Sequence, residues 1–332
     1  MYTEEDLNNA VKQTIFNQSS VDNFRQFIAT SKNTNHVDEE NFKLIGSFND
    51  IFVVIACLLL LFSSGWVLNA IQNNSGYIVF PIITWGLSEF FVRKRKMSLP
   101  AIVLLIAFIG GIFTLCMNLL SFSENINITI AASLSTLGAY LHWLRFKVPI
   151  TVAVGATSLI VFLVALSISI FPETKDYLLP ILLIFGIITF VLAMFWDYAD
   201  IHRVTYKSDV AFWLHLASAP LITHPIFGML GVLDGNESVS TLIIVIALYV
   251  FMSLLSIAVD RRAFMVSSMA YVLYAISNIL KTYGDIGYNF ALTGVLIGAT
   301  LLLLSAFWHQ ARSALLNLLP ESISKYLARV SD

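Results

Sequence analysis

Between His215 and Pro225, one apolar run carries two histidines, two prolines and two hydroxyls, in the stretch FWLHLASAPLITHP at residues 212–225. His215 and His224 titrate. Pro220 and Pro225 have no backbone N–H to give to the carbonyls of Leu216 and Leu221, and Ser218 and Thr223 sit beside those freed oxygens. Ionisable groups inside an apolar span are expensive and as a rule functional. Irregular backbone at that depth is tolerated only where it faces protein or a watery cavity. The chemistry expected here is a polar notch for a small solute or ion, with a proton-linked step on an imidazole whose ordinary pKa of about 6.5 lies in the working range. His215 is the preferred titrating group and His224 the one nearer the outer surface. On a straight helix the two rings point to opposite sides, ~13.5 Å apart along the axis. They are therefore no metal chelate of the i, i+4 zinc type. The competing reading is architectural: two kinks, and two histidines satisfied by packing.

Charged residues cluster at the ends of the apolar runs. Glu89 precedes Arg93 by one helical turn, Asp197 and Asp200 precede Arg203, and Asp260 abuts Arg261. His142 and His309 stand one turn before Arg145 and Arg312. Local ion pairs at helix ends account for such neighbours and add little stability, and terminal bases complement the helix dipole. A gate or proton relay is the sharper reading; Glu89 suits it best because it lies inside its apolar run, next to Phe90 and Phe91. No phosphate-binding glycine loop, HExxH or GxSxG is present, so no catalytic residue, cofactor or metal is assigned. Magnesium-dependent lipid chemistry needs clustered aspartates, and only Asp197 and Asp200 come near one another. Cys57 and Cys116 lie in apolar runs and read as small buried hydrophobes.

The elements that must position these groups follow from composition. The 332 residues are 58% hydrophobic and 12% charged, with a mean hydropathy of +0.80; soluble domains carry about 25% charge. The bilayer is the expected solvent and chief partner. A net charge of −2 gives no field for nucleic acid. Crossing the hydrocarbon takes about 20 apolar residues. Ten runs qualify, near 50–71, 77–93, 100–122, 128–145, 149–171, 178–196, 209–231, 238–259, 262–281 and 288–308. They are continuous rather than alternating, which predicts helices and not barrel strands. The expectation is an all-α integral membrane protein of about ten transmembrane helices, with a transmembrane domain at 49–308. Of the 19 lysines and arginines, all but Lys175 and Lys281 fall on one side if the N-terminus is cytoplasmic, a strong positive-inside signal. Both termini are then cytoplasmic. Trp66, Trp143, Trp196 and Trp308 fall near the expected interfaces.

Residues 1–48 read as short amphipathic cytoplasmic helices, with stripes Leu7–Val11–Ile15, Val21–Phe24–Ile28 and Val37–Phe42–Ile45. They suit a small cap, or a segment that meets a cytoplasmic partner. Residues 309–332 form a second cytoplasmic segment, in which Ile323, Leu327 and Val330 line an interfacial helix beyond Pro320. Ten spans divide into five and five, which makes the halves inverted, as in many transporters. Span 2, with Pro81, then corresponds to span 7, with Pro220 and Pro225. The leading functional expectation is a transporter or channel for a small solute or ion; the alternatives are a membrane scaffold or sensor, and an intramembrane lipid-modifying enzyme. Short loops and the acidic opening MYTEEDLNN, unlike a signal peptide, point to a bacterial inner membrane.

Overall fold

The computed structural model describes residue 7, residues 10–31, 48–201, 205–232, 239–283 and 307–318, and the isolated positions 291, 294, 295, 298 and 299. Among these residues every regular element is helical and no strand occurs. The chain divides into two compact units, residues 1–41 and 42–332. In the first, α1 spans Gln18–Ser31. The Asn17 side chain opens it by accepting from the Ser20 amide at 2.7 Å and the Ser19 hydroxyl at 2.9 Å, as an N-cap asparagine does. The stripe around Val37 and the one at Ile323, Leu327 and Val330 lie outside the described residues.

In the second unit the chain runs through α2 (Phe48–Ile71), α3 (Ser75–Ser88, continued by a π-helical turn Glu89–Lys94), α4 (Ser98–Leu119), α5 (Glu124–Phe146) and α6 (Ile150–Ile170). A 3-10 turn at Pro172–Tyr177 leads to α7 (Leu178–Tyr198), α8 (Tyr206–Met229), α9 (Val239–Val259), α10 (Ala263–Tyr283) and α11 (Trp308–Leu318). Six of the helices, α2, α3, α4, α6, α7 with its preceding 3-10 turn, and α8, are long and apolar enough to cross a membrane. The tenth expected run, 288–308, lies mostly outside the described residues. Outward faces carry large apolar side chains such as Phe62, Trp66, Ile82 and Phe195. In water such a surface would drive association; hydrocarbon is the solvent that suits it. Prolines stand where they cost least: Pro100 in the first turn of α4, Pro149 just ahead of α6 and Pro180 in the first turn of α7.

From α2 to α6 each helix packs on the next, as do α9 and α10, and α7 with α8 is the most extensive pair. Helix α8 also packs on α6 and α10, and half of its apolar window is buried, as is that of α4. Around α4 the core holds Leu105, Phe108, Ile109, Ala139 and Ile150. Around α8 it holds Ala153, Ala193, Val210 and Leu214 at one level, then Ala219, Ile222, Met252 and Phe264 at the next. Gly186 lets α7 and α8 touch: a Cβ there would sit 2.7 Å from the Leu221 carbonyl oxygen. Small residues at such crossings let backbones approach.

Candidate functional site

Three elements converge on a buried charge cluster. Asp197 stands in the last turn of α7, His215 lies within α8, and Arg261 follows the turn that ends α9. The Asp197 carboxylate accepts from one Nη of Arg261 at 2.6 Å through Oδ1, and its Oδ2 lies 2.8 Å from Nε2 of His215. The same Arg261 nitrogen donates to the Ser208 hydroxyl at 3.1 Å and the Ser208 carbonyl at 3.2 Å. Relative exposure is 0% for His215, 2% for Arg261 and 8% for Asp197. The His215 ring meets Phe190 edge-on, and the Arg261 guanidinium lies over Phe212.

The backbone explains how Arg261 reaches inward. Asp260 takes φ 61°, a left-handed turn that costs a non-glycine residue roughly 1–2 kcal/mol. The Arg261 amide bonds the Ser256 carbonyl, while the Ser256 hydroxyl donates to the Arg261 carbonyl. Asp260 and Arg261 therefore point apart. Instead of pairing with its neighbour, Asp260 accepts from the Trp308 indole at 2.8 Å and faces Arg312 at 3.6 Å. All three are buried, so α11 is tied to the end of α9 by a second ion pair. Asp200 orders the turn between α7 and α8, accepting from the Thr205 amide and hydroxyl at 2.8 and 2.7 Å; Arg203 lies outside the described residues.

The proline stretch behaves differently from a broken helix. Pro220 and Pro225 both lie inside a continuous α8: each removes a hydrogen bond without ending the helix, because α7 packs along it and the flanking turns remain bonded. Pro81 likewise sits inside α3. Nor do the hydroxyls serve the freed carbonyls. Ser218 donates to the His215 carbonyl at 3.0 Å, and Thr223 donates to the Ala219 carbonyl at 2.9 Å while lying 2.6 Å from the Ser267 hydroxyl. Those are the i−3 and i−4 acceptors that serine and threonine reach on a helix. The Leu221 oxygen released by Pro225 faces Gly186. His224 is exposed and pairs through Nδ1 with the Tyr271 hydroxyl at 2.8 Å. The notch thus divides: His215, Ser218 and Thr223 are fully buried, His215 joins the charge cluster, and His224 stands apart from it.

Compared with family models, curated proteins and solved structures, the chain matches none. What the site can do must be read from its own atoms. A carboxylate held between an imidazole and a guanidinium can accept, hold or pass a proton. With His215 neutral, Asp197 and Arg261 cancel; a proton on His215 gives the cluster one net positive charge. Asp197 is the most exposed of the three, though still buried.

The remaining span-end groups also pair across helices. Glu89 takes the expected bond from Arg93 at 3.3 Å, and it also receives Nε and Nη2 of Arg145 at 2.6 and 3.1 Å. Arg145 is thereby drawn from His142, which is fully buried, 3.3 Å from the Thr151 hydroxyl, and ringed by Trp85, Phe108 and Phe146. Among the described residues no group of three or more His, Cys, Asp or Glu side chains converges as a metal set.

Proposed function

We propose that the chain is a ten-span transporter of a small solute or ion, with both termini on the basic side, whose coupling centre is the Asp197–His215–Arg261 cluster. The observation that carries this reading is the burial of three ionisable side chains, one from the end of α7, one from within α8 and one from the turn after α9. Apolar side chains of similar size would hold those helices as well or better, whereas intramembrane charges are typical of ion pathways and proton relays. Helix α8, which supplies His215 and lacks two backbone hydrogen bonds, is the element suited to moving. Ser218 and Thr223 lie further along it as solute-facing groups of an open state.

The test uses purified protein in liposomes loaded with a pH-sensitive dye and offered a panel of organic and inorganic ions and neutral solutes. At least one solute is expected to drive proton movement in the wild type, and His215→Gln is expected to abolish it while leaving insertion intact. Proton movement equal to wild type in His215→Gln, or none for any solute in the wild type, sinks the proposal. A static scaffold is the second reading, favoured by the complete burial of His215, Ser218 and Thr223 and by the closure of the Leu221 carbonyl against Gly186. Topology is tested separately: cysteines at Asn73, Lys175 and Asn236 should label only from outside, and labelling of any of them from the inside breaks the ten-span assignment.

A further inference from the structure

A cavity of about 340 Å³ opens at the basic ends of α3, α4, α5 and α6, away from the buried cluster. Its polar lining is Arg93, Lys96, Ser98, Arg145 and Lys147, with no carboxylate among the lining residues. The four cations are exposed at its rim. Val92, Ala101, Ile102, Phe146 and Val148 form apolar walls. Glu89, just outside, takes one bond from Arg93 and two from Arg145. A guanidinium offers five N–H donors, so both arginines keep donors beyond those Glu89 takes, and the single Glu89 carboxylate cannot neutralise both of them.

The two turns that shape the cavity share one design. Each ends its helix with a lysine in the left-handed region, Lys96 at φ 53° and Lys147 at φ 55°. Each then starts the next helix beside a proline, Pro100 or Pro149. The N-terminal ends of α4 and α6 border the cavity at Ser98 and Pro149, so the positive ends of two helix dipoles lie near the four side chains. An open cleft rimmed by four cations and floored by apolar side chains suits an anion that is itself amphipathic. Basic pockets between membrane helices are typical seats for anionic headgroups, and the volume is in the range of small-ligand pockets.

We infer that this cavity binds a phosphate-bearing anion, seating the phosphate among Arg93, Lys96, Arg145 and Lys147. The apolar walls favour the headgroup of an anionic phospholipid over free phosphate. The site is independent of the transport reading, since it shares no residue with the buried cluster.

The experiment measures lipid binding to the purified full chain by native mass spectrometry and by thermal unfolding in a neutral detergent. Three probes are added separately: phosphatidylglycerol, phosphatidylcholine and inorganic phosphate. Phosphatidylglycerol should bind and raise the unfolding midpoint, and phosphatidylcholine should bind at least tenfold more weakly. The Lys96→Gln, Lys147→Gln double variant should lose affinity for phosphatidylglycerol roughly tenfold or more. Lys207→Gln, which removes a charge elsewhere on the basic side, should not. Protection by inorganic phosphate that equals the lipid's and is lost in the double variant keeps the site but assigns it to a free anion. Equal losses in the double variant and Lys207→Gln, or no preference for phosphatidylglycerol over phosphatidylcholine, overturn the inference.

Discussion

Glu89 with Arg93 and Arg145, and Asp197 with His215 and Arg261, are two versions of one arrangement: a carboxylate at a helix end, gripped by two bases, one of them from a distant segment. Their solvents differ. The side chains of Arg93, Arg145 and Glu89 are 55%, 43% and 29% exposed, whereas those of His215, Arg261 and Asp197 are 0%, 3% and 9% exposed. At the exposed triad, water and salt replace any partner that leaves, so the net worth of the pair is small. Inside, a charge that loses its partner has nothing to replace it. The geometry is alike, yet only in the buried cluster does each of three helical segments depend on the charges the other two supply.

The largest break in that comparison is Asp197→Ala. It strips Arg261 of its hydrogen-bonded carboxylate and should destabilise the protein by about 3–5 kcal/mol, read as a lowered unfolding midpoint in detergent or as loss of folded protein. Converting the whole cluster to apolar residues sharpens the point. Asp197→Leu, His215→Leu, Arg261→Met and Ser208→Ala together should recover most of that loss, to within about 2 kcal/mol of wild type, while leaving no proton-linked activity. If the single and combined variants are equally unstable, the cluster is not behaving as paired buried charge.

Gly186→Val tests the contact between α7 and α8, about three helical turns from Asp197, rather than the charge of the cluster. The added side chain would enter the space held by the Leu221 carbonyl and Ile222, and overpacking of this kind costs typically 1–3 kcal/mol. Thermal unfolding reads the loss. An unchanged midpoint would mean that α7 and α8 separate easily, and that the freed carbonyl is reachable after all.

Periodicity and apolar length made the helices legible: nine of the ten expected runs coincide with described helices, six of them long and apolar enough to cross a membrane, and the prolines stand where the sequence marks starts and interiors. The Glu89–Arg93 bond was legible for the same reason, being a contact within one turn. The decisive partners were not. Asp197 meets Arg261 across 64 positions and Arg145 meets Glu89 across 56, and only the packing of helices brings such residues together. Adjacency misled at Asp260, where the left-handed turn sends neighbouring side chains in opposite directions. Two prolines in one run suggested an interrupted helix. Missing single hydrogen bonds is not enough to stop a helix packed along its length by α7.

The smallest expected effect is the most direct check on the comparison. Glu89→Gln removes the charge at the exposed triad but keeps an oxygen that can accept from Arg145, and both arginines stay in reach of water. The unfolding midpoint at physiological salt should not move measurably. At low ionic strength a slight loss is expected and should fade as salt is added, because exposed charges are screened within about 10 Å at 0.1 M. The same substitution deletes the carboxylate bonded to two of the cavity's arginines, so affinity for phosphatidylglycerol should rise rather than fall. A drop in midpoint comparable to that of Asp197→Ala, unaffected by salt, would show that Glu89 depends on its partners as strongly as Asp197 does. The difference in solvent would then not be what separates the two triads.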